Sequence, residues 1–251
     1  MILKFYQLAF RYLCRKKSKA CILLLVLLFI NSMILSSCMI LHATEDSRLT
    51  MQEKMGTKAV PEVKGNSQMI TEKELRAIRD LDGVTFVNRL GSSAVYPVDF
   101  NPVTNSDSEE ENNRKVTLLS CDDLERDSAF SEVRYRLMKG KLITEDSEKG
   151  AVINYVLADA NGLAIGDEMK VGTENGTVIS VKIIGIFSAG SERNQMDTMP
   201  AVNRVENQIF VDNASYRELF EHAGYGKIAV YTKNPEGIEI LVRELEDILG
   251  D

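Results

Sequence analysis

The sequence predicts an α+β protein with one N-terminal transmembrane helix followed by a two-lobed domain, and three observations carry that reading. A charge-free run of 22 residues, Ala20–Leu41, lies near the N-terminus. Segments of helical and strand period alternate at both ends of the remaining chain, while its middle is rich in β-branched runs joined by turn residues. With 251 residues, the chain has material for one generous core or two modest ones.

Charge and cysteine placement agree. The formal net charge is -7, but the first 44 residues hold six basic side chains and no acidic one, which leaves 24 basic against 37 acidic residues, a net of -13, in the rest. So acidic a body repels nucleic-acid phosphates, and the basic cluster beside an apolar run points to a membrane. Cys14, Cys21 and Cys38 lie in or beside the apolar run, leaving Cys121 alone in the body. No disulfide is available there, and no Cys/His spacing suggests a metal site.

At about 1.5 Å rise per residue, Ala20–Leu41 covers the roughly 30 Å hydrocarbon core of a bilayer. The positive-inside rule puts residues 1–19 in the cytoplasm and everything after about residue 44 outside. A cleaved secretory signal competes, but its apolar core runs about 7–15 residues, shorter than this one. A lipoprotein signal competes through Leu35-Ser36-Ser37-Cys38, although apolar residues continue past it to Leu41. Ahead of the span, Phe5, Leu8 and Tyr12 share one helical face with Arg11, Arg15 and Lys16 toward the other, the pattern of an interfacial helix or of a plain basic flank.

Beyond the span, residues 45–65 read as an outward continuation of the helix that breaks near Gly56 and Pro61. Thr71 and Glu74 form a capping box that opens a helix through about Leu81. Val84–Val98 has the composition of one or two strands, and residues 99–115 read as an exposed, mobile loop in which Glu109, Glu110 and Glu111 are solvated rather than metal-binding. VTLLSC, from Val116 to Cys121, reads as a buried strand followed by a helix or irregular segment. Further on come a strand at Ala151–Asn154, a helix at Tyr155–Asn161 closed by Gly162, and a hairpin turned at Asn175-Gly176, the ingredients of a compact β-barrel. A strand at Asn207–Val211, a helix from Asn213 to about His222, a strand at Lys227–Thr232 and a helix opened by Pro235 complete the chain.

These segments together resemble the MacB/FtsX-type ABC transporter permeases, specifically their first membrane helix and extracytoplasmic core domain. The carriers are the basic LAFRYLCRKKSKA, the helix-then-strand ITEKELRAIRDLDGVTFV, and GKLIT followed by GAVINYVLADANGLAIGDEMKV and VKIIGIF. The resemblance implies an extracytoplasmic MacB-like domain over 45–251, with an α/β lobe at about 60–115 and 212–251 and an inserted β-rich, barrel-like lobe at about 116–211. It also implies a cell-membrane location, a cytoplasmic ABC ATP-binding subunit and a second permease chain, in a homo- or heterodimer, as partners. ATP hydrolysis in that subunit would drive movement of the outer domains. Such permeases ordinarily carry three further spans, and no second charge-free run here approaches 18 residues. The expected chain is therefore a permease fragment, a separately encoded half or an anchored remnant; the alternative function is a binding or sensing module that transports nothing.

An enzyme is not expected. GxxxxGK[ST], GxSxG and HExxH are all absent. A Ser/His/Asp triad would have to recruit His42 or His222, and neither adjoins a nucleophile motif. Asp122-Asp123 reads as surface or capping groups rather than an acid/base couple. No catalytic, cofactor-binding or metal-binding residue is assigned, and no cofactor is implied.

Overall fold

The computed structural model describes residues 17–55, 57–62, 69–104, 110–190, 199–221, 224–233 and 237–250. The proposed interfacial segment before residue 17, together with Glu109, His222 and Pro235, lies outside these residues. Helix α1 (Lys17–Met55) is 39 residues long, about 58 Å at 1.5 Å per residue, which exceeds a bilayer's hydrocarbon thickness. The chain divides after Glu53 into two units, the first holding most of α1 and the second everything from Lys54 onward.

In the second unit, a three-stranded sheet joins β1 (Thr57–Ala59), β11 (Lys227–Thr232) and the first half of β3 (Val84–Pro97). Helices α2 (Glu72–Arg79) and α6 (Ile238–Leu249) cover one face of it, burying Leu75, Ile78, Leu241 and Leu245 against Val87, Ile228 and Val230. The capping box is present: Thr71 N donates to Glu74 Oε2 at 2.6 Å and Glu74 N to Thr71 Oγ1 at 3.4 Å. Val242 of α6 is exposed, because the contact is made by the line through Leu241 and Leu245. A two-residue pairing of β2 (Ile70–Thr71) with β10 (Gly224–Tyr225) closes the approach to α2.

The second half of β3 belongs to a different structure. It pairs with β4 (Val116–Cys121), which pairs with β9 (Gln208–Asp212), β6 (Gly150–Asn154), β8 (Val178–Ala189) and β7 (Glu168–Gly172) in turn, and β7 returns to β3 at Tyr96 and Pro97. The circuit is a closed barrel of six strands, parallel at β4–β9 and β6–β8. Val95, Leu118, Ile153, Met169 and Ile209 fill its interior. Closure removes the exposed edges that an open sheet of these strands would present.

Short caps set the barrel's connections. Asn154 Oδ1 accepts from Val156 N at 2.9 Å to start α4 (Tyr155–Asn161), and Gly162, with φ +64°, ends it. Asp212 likewise starts α5 (Asn213–Phe220), accepting from Ser215 N at 2.9 Å and from Gly150 N of the neighbouring strand at 2.9 Å. The β7–β8 hairpin turns at Thr173–Thr177, with Gly176 at φ +86°.

Two expectations are corrected. Residues 99–104 are not a free loop: Phe100 enters the barrel core, Asn161 bonds both backbone groups of Asn101, and Asn207 does the same for Val103. Asparagine amides supply a donor and an acceptor together, so a polar segment is pinned without apolar content. The stretch after Cys121 forms only one short helix, α3 (Ser128–Ser131), and then an edge strand, β5 (Tyr135–Gly140), on β8. Tyr135 stacks on Phe187 with centroids 5.0 Å apart, and that packing overrides the helical propensity of Arg136, Leu137 and Met138.

Candidate functional site

Two features stand out, one in each unit. Within Cys21–Ser47 of α1 the most apolar 18-residue stretch has a mean hydropathy of 2.5, and none of it is covered by protein. Two of the helix's polar side chains turn onto its own backbone, Asn31 Nδ2 donating to Leu27 O at 2.9 Å and Thr44 Oγ1 to Ile40 O at 2.7 Å. That lowers the cost of placing them in hydrocarbon. Such a helix is suited to lipid rather than to a protein core.

The second feature is the junction where β3 leaves the helix-covered sheet for the barrel. Asp122, at the end of β4, accepts from Arg89 Nε (2.8 Å), Arg89 Nη2 (2.6 Å), the Arg89 backbone N–H (2.8 Å) and Asn213 Nδ2 (3.0 Å). Asn88 Oδ1 accepts from the backbone N–H groups of Asp122 (2.8 Å) and Asp123 (3.1 Å), and its Nδ2 donates to Asp123 O at 2.8 Å. The Asp122 hydrogen bond, opposed by burial, raises the Arg89 guanidinium above its already high ordinary value. Asp122 is therefore a buried partner in a structural network and not a surface group, whereas Asp123 caps Glu125 N and pairs with Arg126 as expected. The sign of this network in the sequence is the polar pair Asn88-Arg89 set between Val87 and Leu90 in a strand.

Beside the network, on either side of β3, runs a groove of about 820 Å³. Leu90, Leu119 and Phe210 form its apolar floor, Arg126 and Tyr135 one wall, and Gly224–Gly226 another part of the lining. Other residues considered in the sequence are spoken for. His42 lies exposed on α1, Glu111 pairs with Lys115 and accepts from Tyr96 Oη, and burial pushes the Cys121 thiol well up.

The sequence profile of the MacB-like periplasmic core domain matches residues 23–248, nearly the whole chain. The chain belongs to that family. Among solved structures, this MacB-like domain resembles the periplasmic region of MacB from Actinobacillus actinomycetemcomitans, with a TM-score of 0.51 at 13% identity, over 79% of this chain and 85% of that one. The extracellular domain of the noncanonic ABC-type transporter YknZ from Gram-positive bacteria aligns over 75% of this chain and 89% of its own, with 17% identity and a TM-score of 0.46. Among curated protein sequences there is no match. The MacB likeness bears on fold: a mixed α/β domain with a large sheet behind an apolar N-terminal helix.

Proposed function

We propose that this MacB-like chain is a membrane-anchored permease component of an ABC-type export or mechanotransmission system. In this reading residues 1–19 are cytoplasmic, residues after about 44 lie outside, and a separate ATP-binding subunit drives movement of the outer domain. The observation that carries it is the family match over residues 23–248, which takes in both most of the apolar helix and the two-lobed domain. The architecture is consistent with passing force. β3 runs unbroken from the helix-covered sheet into the barrel, so displacement of one lobe loads the other through the ladders with β11 and β4. The Arg89–Asp122 clasp ties the two at the same point.

Co-purification of the tagged chain from detergent-solubilised native membranes, with mass spectrometry of the proteins that accompany it, tests the proposal. Recovery of an ATP-binding subunit with a permease chain supports it. A chain recovered alone, still membrane-bound, favours an anchored binding module instead, a reading for which the groove beside β3 is the specific observation. Orientation is checked separately by maleimide labelling of intact cells: Cys14 is expected to stay protected and a cysteine introduced at Ser47 to react.

A further inference from the structure

Asn31 sits at the middle of the apolar run Ala20–Leu41, the depth at which a polar side chain is most costly in a bilayer. Its Nδ2 donates to Leu27 O at 2.9 Å, which uses one of the amide's two N–H groups. The second N–H and the carbonyl oxygen have no partner among the described residues. Hydrocarbon offers neither donors nor acceptors, so the bond to Leu27 lowers the cost of this side chain without removing it.

The surface around Asn31 is a heptad seam. Cys21, Leu24, Leu28, Asn31, Leu35 and Cys38 follow one another at alternating steps of three and four residues. That repeat keeps one face toward a partner helix in a left-handed pair. All six side chains are exposed, so none is committed to another described part of the chain. At 3.6 residues per turn Ser32, Ser36 and Ser37 fall outside the seam, which leaves Asn31 as its amide. Glu45, where the repeat would set like charges together in a pair of identical helices, stands beyond the apolar run.

We propose that α1 pairs in parallel with α1 of a second copy of this chain, Asn31 against Asn31. An amide is self-complementary: each Asn31 gives its free N–H to the other's Oδ1. Two identical chains anchored in the same sense bring these groups to one depth, whereas an unrelated helix would need a polar side chain at that level and on that face. An asparagine in a heptad seam also fixes register and oligomer state. Lipid tails are as apolar as leucine, so the amide pair rather than apolar area decides that these helices associate. The inference deepens the permease reading by naming a partner, and it rests only on the membrane-anchored part of that reading.

The test is oxidative cross-linking of the full chain in vesicles of phosphatidylethanolamine and phosphatidylglycerol. With Cys14→Ser and Cys21→Ser in place, the thiols left are Cys38 in the seam and the buried Cys121. Copper phenanthroline is expected to join two copies through Cys38, and moving the thiol one residue off the seam, Cys38→Ser with Ser37→Cys, to cut the yield roughly fivefold. Energy transfer between labelled copies, followed as lipid is added, gives the dissociation constant. Asn31→Leu, which leaves the outer domain untouched, is expected to raise it roughly tenfold, and Asn31→Gln, which keeps an amide, to hold it near the original value. The vesicles contain no ATP-binding subunit, so this result is independent of the co-purification. Equal cross-linking from positions 37 and 38 overturns the proposal, as does an Asn31→Leu chain that pairs as tightly as the unaltered one. In native membranes, Cys38 joined only to a different protein would assign the seam to that protein and overturn it as well.

Discussion

Arg89 and Asp122 face each other across the β3–β4 ladder, with Nε and Nη2 of the guanidinium 2.8 and 2.6 Å from the two carboxylate oxygens. The aspartate side chain is 5% exposed and the arginine 21%, so this pair is far more sheltered than an ordinary surface ion pair. Asp122→Ala leaves the guanidinium, the Arg89 N–H and Asn213 Nδ2 without their shared acceptor and is expected to destabilise the domain by about 3 kcal/mol. Urea unfolding of Arg89→Ala, Asp122→Ala and the double variant checks this. The coupling between them should come to about 1–3 kcal/mol, and additive losses would show that the pair is not the unit of stability.

Asp127 yields a pH prediction. Burial raises its carboxyl above the ordinary 3.8, more than the hydrogen bond from Ala129 N lowers it. A carboxyl whose pKa is higher folded than unfolded contributes stability below the unfolded value, and that contribution is lost as pH rises through the folded one. Asp127→Asn keeps an Oδ1 acceptor for the cap of α3 and carries no charge. The variant should melt close to the unaltered chain near pH 3 and higher than it at pH 7.5. Melting curves that stay parallel across this range would contradict the assignment.

The parts of the fold legible in the sequence are those fixed locally. The Thr71–Glu74 box, the helix from Asn154 to Gly162 and the turn at Asn175-Gly176 each depend on residues within a few positions of one another, and each is where the sequence places it. Strand β5 was illegible because its identity comes from Phe187 and β8, some 50 residues away, while its own composition suits a helix. The barrel's closure at Tyr96–Gly172 and the pinning of Val103 by Asn207 are likewise long-range. The groove is further still from local signals. Its floor is drawn from β3, β4 and β9, strands far apart in sequence that only the fold brings together.

Gly185 marks a place where two backbones need to touch. A Cβ there would run into the carbonyl oxygen of Lys141 and stand 3.2 Å from Val152 Cγ2 and 3.3 Å from Leu137 Cδ1. The carbonyl belongs to backbone held by the Lys141 N–Ile184 O bond of 2.9 Å, so it has little room to yield. Gly185→Ala is expected to cost about 3 kcal/mol, the upper part of the overpacking range, in thermal or urea unfolding. A loss below about 0.5 kcal/mol would mean that β5 and its following loop shift freely on β8.

Val133 presents the opposite case, a side chain poorly matched to its backbone. It stands at φ +59° in the turn from α3 into β5 and is 65% exposed. A β-branched residue is strained in the left-handed region, and here no buried contact offsets the strain. Asparagine tolerates that conformation far better, so Val133→Asn should stabilise the domain by roughly 1 kcal/mol. Val133→Ala, which keeps a Cβ but loses the branch, should recover only part of the gain. If unfolding of both variants matches that of the unaltered chain, the turn relaxes to negative φ without cost, and the left-handed geometry at Val133 does not govern how β5 is placed against β8.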